Sequence, residues 1–422
     1  MITINKIKRA KGEVTVPGDK SISHRGVMLG ALGNGMSEIT GFLNGADCLS
    51  TISCFEQMGI KIEHEADRVR VFGKGLYGLS KPDKMLYTGN SGTTTRLLCG
   101  ILSGQDFDSE ISGDSSIEKR PMARVTKPLS LMGAEIEGEY CPLKIHGRKL
   151  HGIDYKMQVA SAQVKTALIL AGLYADSPTI IHENMRSRNH TELMLSAMGA
   201  DLKVKGCDIA LTPGKKLVPQ KFTVPGDISS AAFFLVLGAI LPGSEIYIKN
   251  VGINETRAGI LEILEKMGAD MTYENRRVSA GEEVCDILVK GSELKGCEIG
   301  GEVIPRLIDE LPVLAVAAVF AEGETIIRDA SELKVKETNR IAAVVKEFSK
   351  CGIEITETDD GMIIKGGKTV KGADFESYGD HRMAMSLAVL AQLAEGESRI
   401  NEIDCVDISY PGFFEDLYRL GK

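Results

Sequence analysis

No apolar run in this chain approaches the roughly 18 or more residues that a membrane-spanning helix needs. The longest, Ala231 to Leu241 and Leu311 to Ala321, read as buried helices. The N-terminus, MITINKIKRAKGEVTV, lacks the uninterrupted apolar stretch and cleavage site of an export signal, and alternates apolar and polar residues as a strand does. Nine cysteines are an odd number and no two form a C-x-x-C pair. Zinc sites and a disulfide framework therefore have little support, and a reducing cytoplasm is the expected setting. Positive charge is short as well: 50 Lys and Arg against 58 Asp and Glu leave a net charge of −8, which argues against wholesale nucleic-acid binding. Any anionic ligand must be held by local basic clusters. What the chain does have is length, since 422 residues at 43% hydrophobic and 26% charged favour two or three globular domains.

Those domains are built from repeats. An amphipathic helix, a glycine hinge and a strand recur as FEQMGIKIE, LSLMGAEIE, LSAMGADLKV, LEKMGADMTY and FSKCGIEIT, with a truncated LYRLGK at the end. The hinges are Gly59, Gly133, Gly199, Gly268, Gly352 and Gly421. A period of about 70 residues is too long for a common solenoid and suits a small α/β unit. In phase with it, a polar loop opens into an apolar helix six times, from Gly18, Gly89, Ser161, Gly226, Asp309 and Gly379. Each opening is rich in Ser, Thr, Asp or Gly, the residues that cap helices. Alternating segments such as EITGF, RVRVFG and EIYIKN supply strands, so each unit should hold about two helices and several short strands. The pentapeptide Thr-Val-Pro-Gly-Asp occurs twice, from Thr15 and from Thr223, ahead of the first and fourth units. It divides six units into three and three, giving one domain at 20–227 and another at 228–422, joined by residues 1–19. Each Pro-Gly reads as a hinge.

A helix N-terminus carries partial positive charge and prefers acidic residues. Here Lys20, His24 and Arg25 crowd the first opening, Arg96 the second, Lys165 the third, and His381 with Arg382 the sixth. Arg120 and Arg124, and Lys336 and Arg340, are like charges four apart, a mildly destabilising spacing. Singly these are solvated faces paired with nearby carboxylates; recurring in one phase of a repeat, they fit a multiply charged anion bound at helix N-termini. GKGLYG at 73–78 matches G-x-G-x-x-G, but Pro82 opposes the helix a dinucleotide site requires. GDKS lacks a P-loop's first glycine, and Ser21 or Ser23 beside His24 has no oriented third partner for hydrolysis. The remaining histidines show no metal-ligand spacing, and no metal or cofactor is expected.

The segments GDKSISHR, GNSGTTTR, GDSSIEKRPM, SAQVKTA, DELPVLAVAA, LKVKETNRI and YGDHRMAMS, in this order over nearly the whole chain, closely resemble the signatures of the 5-enolpyruvylshikimate-3-phosphate synthase family. The resemblance implies an α/β fold of two similar domains, each of three βαβαββ repeats (an inside-out α/β barrel), with helix N-termini directed at a cleft between them. It implies transfer of the enolpyruvyl group of phosphoenolpyruvate to the 5-hydroxyl of shikimate 3-phosphate by addition and elimination, releasing phosphate, in the shikimate pathway towards chorismate and aromatic amino acids. The expected partners are these two small molecules, with no nucleic acid and no membrane, acting on a cytoplasmic monomer. Carried over by motif, Lys20, Asp309 and Glu337 are the catalytic residues: Lys20 touches both substrates, Asp309 is the base on the 5-hydroxyl, and Glu337 donates a proton to carbon. Shikimate 3-phosphate falls to Lys20, Ser21, Arg25, Ser161, Ala162, Gln163, Arg188, Asp309 and Lys336. Phosphoenolpyruvate falls to Lys20, Asn90, Gly92, Arg120, Gln163, Arg340 and Arg382.

Other readings stay open for the carboxylates. Asp309 could merely cap its helix, and Glu337 could merely pair with Arg340. Many members have Ser-Ser-Gln where this chain has Ser161-Ala162-Gln163, and several carry a lysine shortly before the C-terminal aromatic-Pro pair, where DISYPGF has none. Gly92 stands where some herbicide-tolerant members carry alanine. The nearest rival is the sister transferase acting on UDP-N-acetylglucosamine, but that enzyme has Lys-Asn in place of Lys20-Ser21 and a cysteine in the loop that here reads GDSSIEKRPM. A non-catalytic anion-binding scaffold is the rival from another class; the joint presence of Lys20, Asp309 and Glu337 opposes it.

Overall fold

The fold is taken from a computed structural model that describes residues 1–279, 281–367 and 369–422. Among them the four-stranded sheets share one order: a parallel pair at one edge, extended by two further strands. In the second repeat Leu86–Tyr87 runs parallel to Ser109–Ser112, followed by Leu143–His146 and then Glu135–Glu137. The third repeats this with Asp154–Lys156, Thr179–His182, Asp208–Thr212 and Asp201–Lys205, and the fifth with Glu298–Ile299, Glu324–Ile327, Met362–Lys365 and Glu354–Glu357. Parallel neighbours need a crossover, and a helix supplies it each time.

The first and fourth repeats borrow a strand. Asn34–Thr40 takes its parallel partner from Lys221–Thr223, far along the chain, and Glu245–Gly252 takes its own from the N-terminal Lys11–Thr15. The sixth sheet, Asp374–Glu376 with Ser398–Asn401, is completed by Ile2–Ile4. The N-terminal alternation is thus two short strands rather than one, because its halves serve different sheets. Compactness divides the chain into Gly18–Val224 with Ser279–Gly281 as one unit, and Met1–Pro17, Pro225–Val278 and Glu282–Lys422 as the other. Each unit has its own hydrophobic core.

Three helices fill the middle of each unit. In the first these are Lys20–Leu32, Gly92–Ser103 and Ala162–Gly172; in the second, Ile228–Ile240, Leu311–Phe320 and His381–Ala391. Every residue of Ile228–Ile240 and of His381–Ala391 is buried. A helix apolar all round has no solvent face to keep, and each large apolar side chain it buries contributes about 1.5–3 kcal/mol. Gly100 sets the closest approach: a Cβ there would lie 2.2 Å from the Ala167 carbonyl oxygen of the neighbouring helix.

The hinge glycines do what their positions suggest. Gly59, Gly133, Gly199, Gly268 and Gly352 have φ of 82°, 89°, 84°, 95° and 79°, the left-handed conformation that ends a helix with little steric penalty. After Gly259–Met267, the Gly268 N–H donates to the Glu265 carbonyl and the Ala269 N–H to the Leu264 carbonyl, closing the helix before the strand Asp270–Ser279 begins. Gly421 departs from the set with φ −84°, in the right-handed region.

Candidate active site

Five of the six inner helices are capped by a side chain at the residue before them. Asp19 accepts from the Ile22 N–H, Ser91 from Thr94, Ser161 from Val164, Asp227 from Ser229, and Asp380 from Arg382 and Met383. The sixth, Leu311–Phe320, follows Glu310 without a side-chain cap. The caps fix where each helix starts, and hence where the residues of its first turn point. Glu310 stands between Asp309 and this helix, and the Asp309 carboxylate is engaged by cations.

In the unit around Gly18–Val224, Lys20 opens its helix with its ammonium 3.1 Å from Asp47 Oδ2. Arg25 is buried and donates to Thr191 Oγ1 (2.7 Å), Thr166 Oγ1 (3.0 Å) and the Ser21 carbonyl (3.0 Å). Arg120 donates to Asn90 Oδ1 at 2.8 Å, and Asn90 donates in turn to Asp114. Gly92 lies beside them: a Cβ there would sit 2.9 Å from Arg96 Nη1 and 3.2 Å from Arg120 Nη1. Arg96 donates to Gln163 Oε1 (2.7 Å), and Gln163 donates to Thr93 Oγ1 (3.1 Å), which ties the second helix start to the third. Asn90, Gly92 and Arg120 are thus one group, and Gln163 joins the same helix start through Arg96 and Thr93. Ser161 and Ala162 stand at the half-buried opening of the third helix. Arg188 is half-buried in the loop before His190–Ala197.

Two sequence-level impressions change here. Lys165, grouped by sequence with the anion-binding cations, is fully buried and bound to Glu183 Oε2 (2.9 Å) and Glu192 Oε1 (2.7 Å). Its charge is committed to the protein. His24 is also buried, with Nδ1 2.7 Å from Thr51 Oγ1, which in turn lies 2.7 Å from Thr94 Oγ1. Burial, reinforced by Lys20 and Arg25, lowers its pKa well below the ordinary 6.5, so it stays neutral at physiological pH.

The second unit gathers its predicted residues around one carboxylate. Asp309 Oδ1 is 3.3 Å from Lys336 Nζ and 3.4 Å from Arg340 Nη1, Oδ2 is 3.7 Å from Arg382 Nη2, and the Asp309 carbonyl accepts from Arg382 Nη1. Glu337 Oε2 accepts from Arg340 Nη2 at 2.6 Å. Arg340 is 1% exposed and bound most closely by Asp380, at 2.8 Å. Burial opposes its charge, but Asp380, Glu337 and Asp309 outweigh burial and hold its pKa above the usual guanidinium range.

Sequence reasoning missed the partners that hold these groups: Asp47 for Lys20, Asp380 for Arg340, and a buried chain behind Arg382. In that chain Arg257 donates to Asp227 and to Ser229 Oγ, both at 2.8 Å; Ser229 donates to Glu310 Oε1, which lies 3.9 Å from Arg382 Nη1. Asp227 and Asp380 had a sequence signal, each as the polar residue opening an apolar helix.

Cations at capped helix starts, with acidic groups among them, on an α/β fold fit one class of protein, a transferase acting on anionic metabolites. The chain belongs to the EPSP synthase (3-phosphoshikimate 1-carboxyvinyltransferase) family, whose model matches residues 4–417. It is 55% identical over 417 residues to the 3-phosphoshikimate 1-carboxyvinyltransferase of Thermoanaerobacter sp. (strain X514), covering 98% of both chains. To the protein of that name from Desulforamulus reducens it is 53% identical over 421 residues, covering 99% of this chain and 98% of the relative. The solved structure of EPSP synthase from Acinetobacter baumannii superposes with a TM-score of 0.89 at 46% identity, covering 99% of this chain and 97% of the other.

Proposed function

We propose how the two clusters divide the work of the family's reaction, which is the activity of this chain: enolpyruvyl transfer from phosphoenolpyruvate to the 5-hydroxyl of shikimate 3-phosphate, with release of phosphate. The observation that carries the reading is the meeting of Asp309, Glu337, Lys336, Arg340 and Arg382 within one hydrogen-bonded group.

Asp309 takes the proton of the 5-hydroxyl as its oxygen attacks C2 of phosphoenolpyruvate, while Glu337 delivers a proton to the methylene carbon; the product of this addition is tetrahedral. Glu337, ionised by the addition, then takes back a proton from the new methyl group as the C–O bond to phosphate breaks, which restores the double bond and releases phosphate. Lys20, reaching both substrates, assists proton transfer. Addition and elimination leave negative charge on phosphate and carboxylate throughout, and fixed cations stabilise it without reorganising at the moment of reaction. Arg120 with Asn90 and Gly92, Gln163, and Arg340 with Arg382 hold phosphoenolpyruvate. Lys20, Ser21, Arg25, Ser161, Ala162, Gln163, Arg188, Asp309 and Lys336 hold shikimate 3-phosphate. Ser161 can do so while capping, because its oxygen accepts from Val164 and its proton remains to be donated. Ala162 can offer only its backbone.

The same reading makes residues 20–227, and 1–19 with 228–422, the working domains of a cytoplasmic monomer. Among the described residues no helix is long and apolar enough to cross a membrane. Light scattering in solution should return a mass near 45.5 kDa. The activity itself is tested by phosphate release from phosphoenolpyruvate with shikimate 3-phosphate or UDP-N-acetylglucosamine as acceptor. Release is expected with the first; release only with the second would overturn the reading.

A further inference from the structure

Arg382 and Asp380 follow a turn whose geometry is unusual. Tyr378 has φ 58° and Gly379 has φ 64°, so a bulky residue occupies the left-handed region one step before the glycine that tolerates it. Such a conformation persists only where its surroundings hold it. Here the holding group is Glu347, which is 0% exposed and lies on the Arg340–Ser349 helix. Its Oε1 accepts from the Tyr378 hydroxyl at 2.6 Å, and its Oε2 from the Glu376 N–H at 2.9 Å and from Lys350 at 2.6 Å. Lys346 of the same helix lies over the Tyr378 ring, 5.4 Å from its centroid. Beyond the turn, the first residue of that helix, Arg340, binds Asp380 through Nε (2.8 Å) and Nη2 (3.3 Å), and Asp380 Oδ1 accepts from the Arg382 N–H (2.9 Å). One helix therefore grips the turn on both sides, near its C-terminal end through Glu347 and at its N-terminal end through Arg340.

We propose that Tyr378 and Glu347 are positioning residues for phosphoenolpyruvate binding: their hydrogen bond keeps the left-handed turn in place and thereby sets where Asp380 and Arg382 stand. Neither touches substrate in this scheme. The proposal rests on the assignment of Arg382 to phosphoenolpyruvate. When the hydroxyl is removed, the turn loses its tie and relaxes, and the Arg382 guanidinium shifts away from its productive place; Asp309 keeps its place through Lys336 and Arg340, and the residues assigned to shikimate 3-phosphate in the other unit are untouched.

The test is steady-state kinetics of Tyr378→Phe and Glu347→Gln, with Arg382→Lys in parallel and a thermal melt of each. For Tyr378→Phe the KM for phosphoenolpyruvate should rise about three- to tenfold, with kcat and the KM for shikimate 3-phosphate within about twofold of the parent. Glu347→Gln should move the same constant in the same direction. If Arg382→Lys raises the KM for phosphoenolpyruvate and Tyr378→Phe leaves it unchanged, the positioning role is refuted while the Arg382 assignment stands. If Arg382→Lys leaves it unchanged, the Arg382 assignment fails and takes the proposal with it. A rise in both KM values together with a lowered melting temperature would make Tyr378 a purely structural residue, which also overturns the proposal.

Discussion

Asp309 faces Lys336, Arg340 and Arg382 at 3.3–3.7 Å, and its replacement by Asn keeps the shape while removing both the charge and the base. We expect Asp309→Asn to lower kcat by about 10²–10⁴-fold, the usual worth of a general base. A loss smaller than about tenfold in a phosphate-release assay would dismiss Asp309 from that role. At Gly92, φ is ordinary and the constraint is space, because an added methyl meets the guanidinium groups of Arg96 and Arg120. Gly92→Ala should therefore raise the KM for phosphoenolpyruvate several-fold with little change in that for shikimate 3-phosphate, and equal changes in both would count against the assignment. His24 gives a pH signature. Its folded pKa lies below the unfolded 6.5, so below that pH the unfolded chain binds more protons than the native one and stability falls as pH falls towards the folded pKa. In urea melts from pH 7 down to about 5, His24→Asn should show a shallower decline than the parent; parallel curves would remove His24 as the cause.

Elements owe their placement to devices readable a few residues at a time. Caps at Asp19, Ser91, Ser161, Asp227 and Asp380, and left-handed glycines at the ends of the outer helices, are local features, and the sequence announced nearly all of them. The approach between inner helices is not local. Gly100 reads as one more small residue until the Ala167 carbonyl is found 2.2 Å from where its Cβ would be. Gly100→Ala forces backbone against backbone, and should destabilise by about 1–3 kcal/mol, seen as a lowered denaturation midpoint; an unchanged midpoint would mean that the helices part easily. Asp380 works twice, as cap and as the buried partner of Arg340. Its replacement by Ala leaves a buried guanidinium short of a carboxylate and should destabilise by about 3–5 kcal/mol, read by the same denaturation curve.

Across the whole molecule, the repeats were legible because period, cap and hinge recur in register along the chain. The division into three and three was marked by the duplicated Thr-Val-Pro-Gly-Asp. Less legible was the permutation of strands, in which Lys221–Thr223 completes the first sheet and residues near the N-terminus complete the fourth and sixth. Strand pairing over such separations depends on which edge is left open, and no short window records that. Since each unit has a separate core, we expect calorimetry of Gly100→Ala to show the Gly18–Val224 unit melting ahead of the other. A single sharpened transition would argue that the two melt as one.

What the amino-acid sequence determined by itself was the menu: six capped apolar helices, turning glycines, short alternating strands, and cations clustered at helix starts. These follow from dihedral preferences and from neighbours three or four residues apart. The tertiary structure decided which carboxylates each cation meets. Lys165 looked like Arg25 and Arg96 in sequence, yet it is spent on two buried carboxylates, whereas Lys336, Arg340 and Arg382 converge on Asp309. Charge pairing in a protein is settled by distance through space and by the loss of water around buried ions, and neither is written in the spacing of residues along the chain.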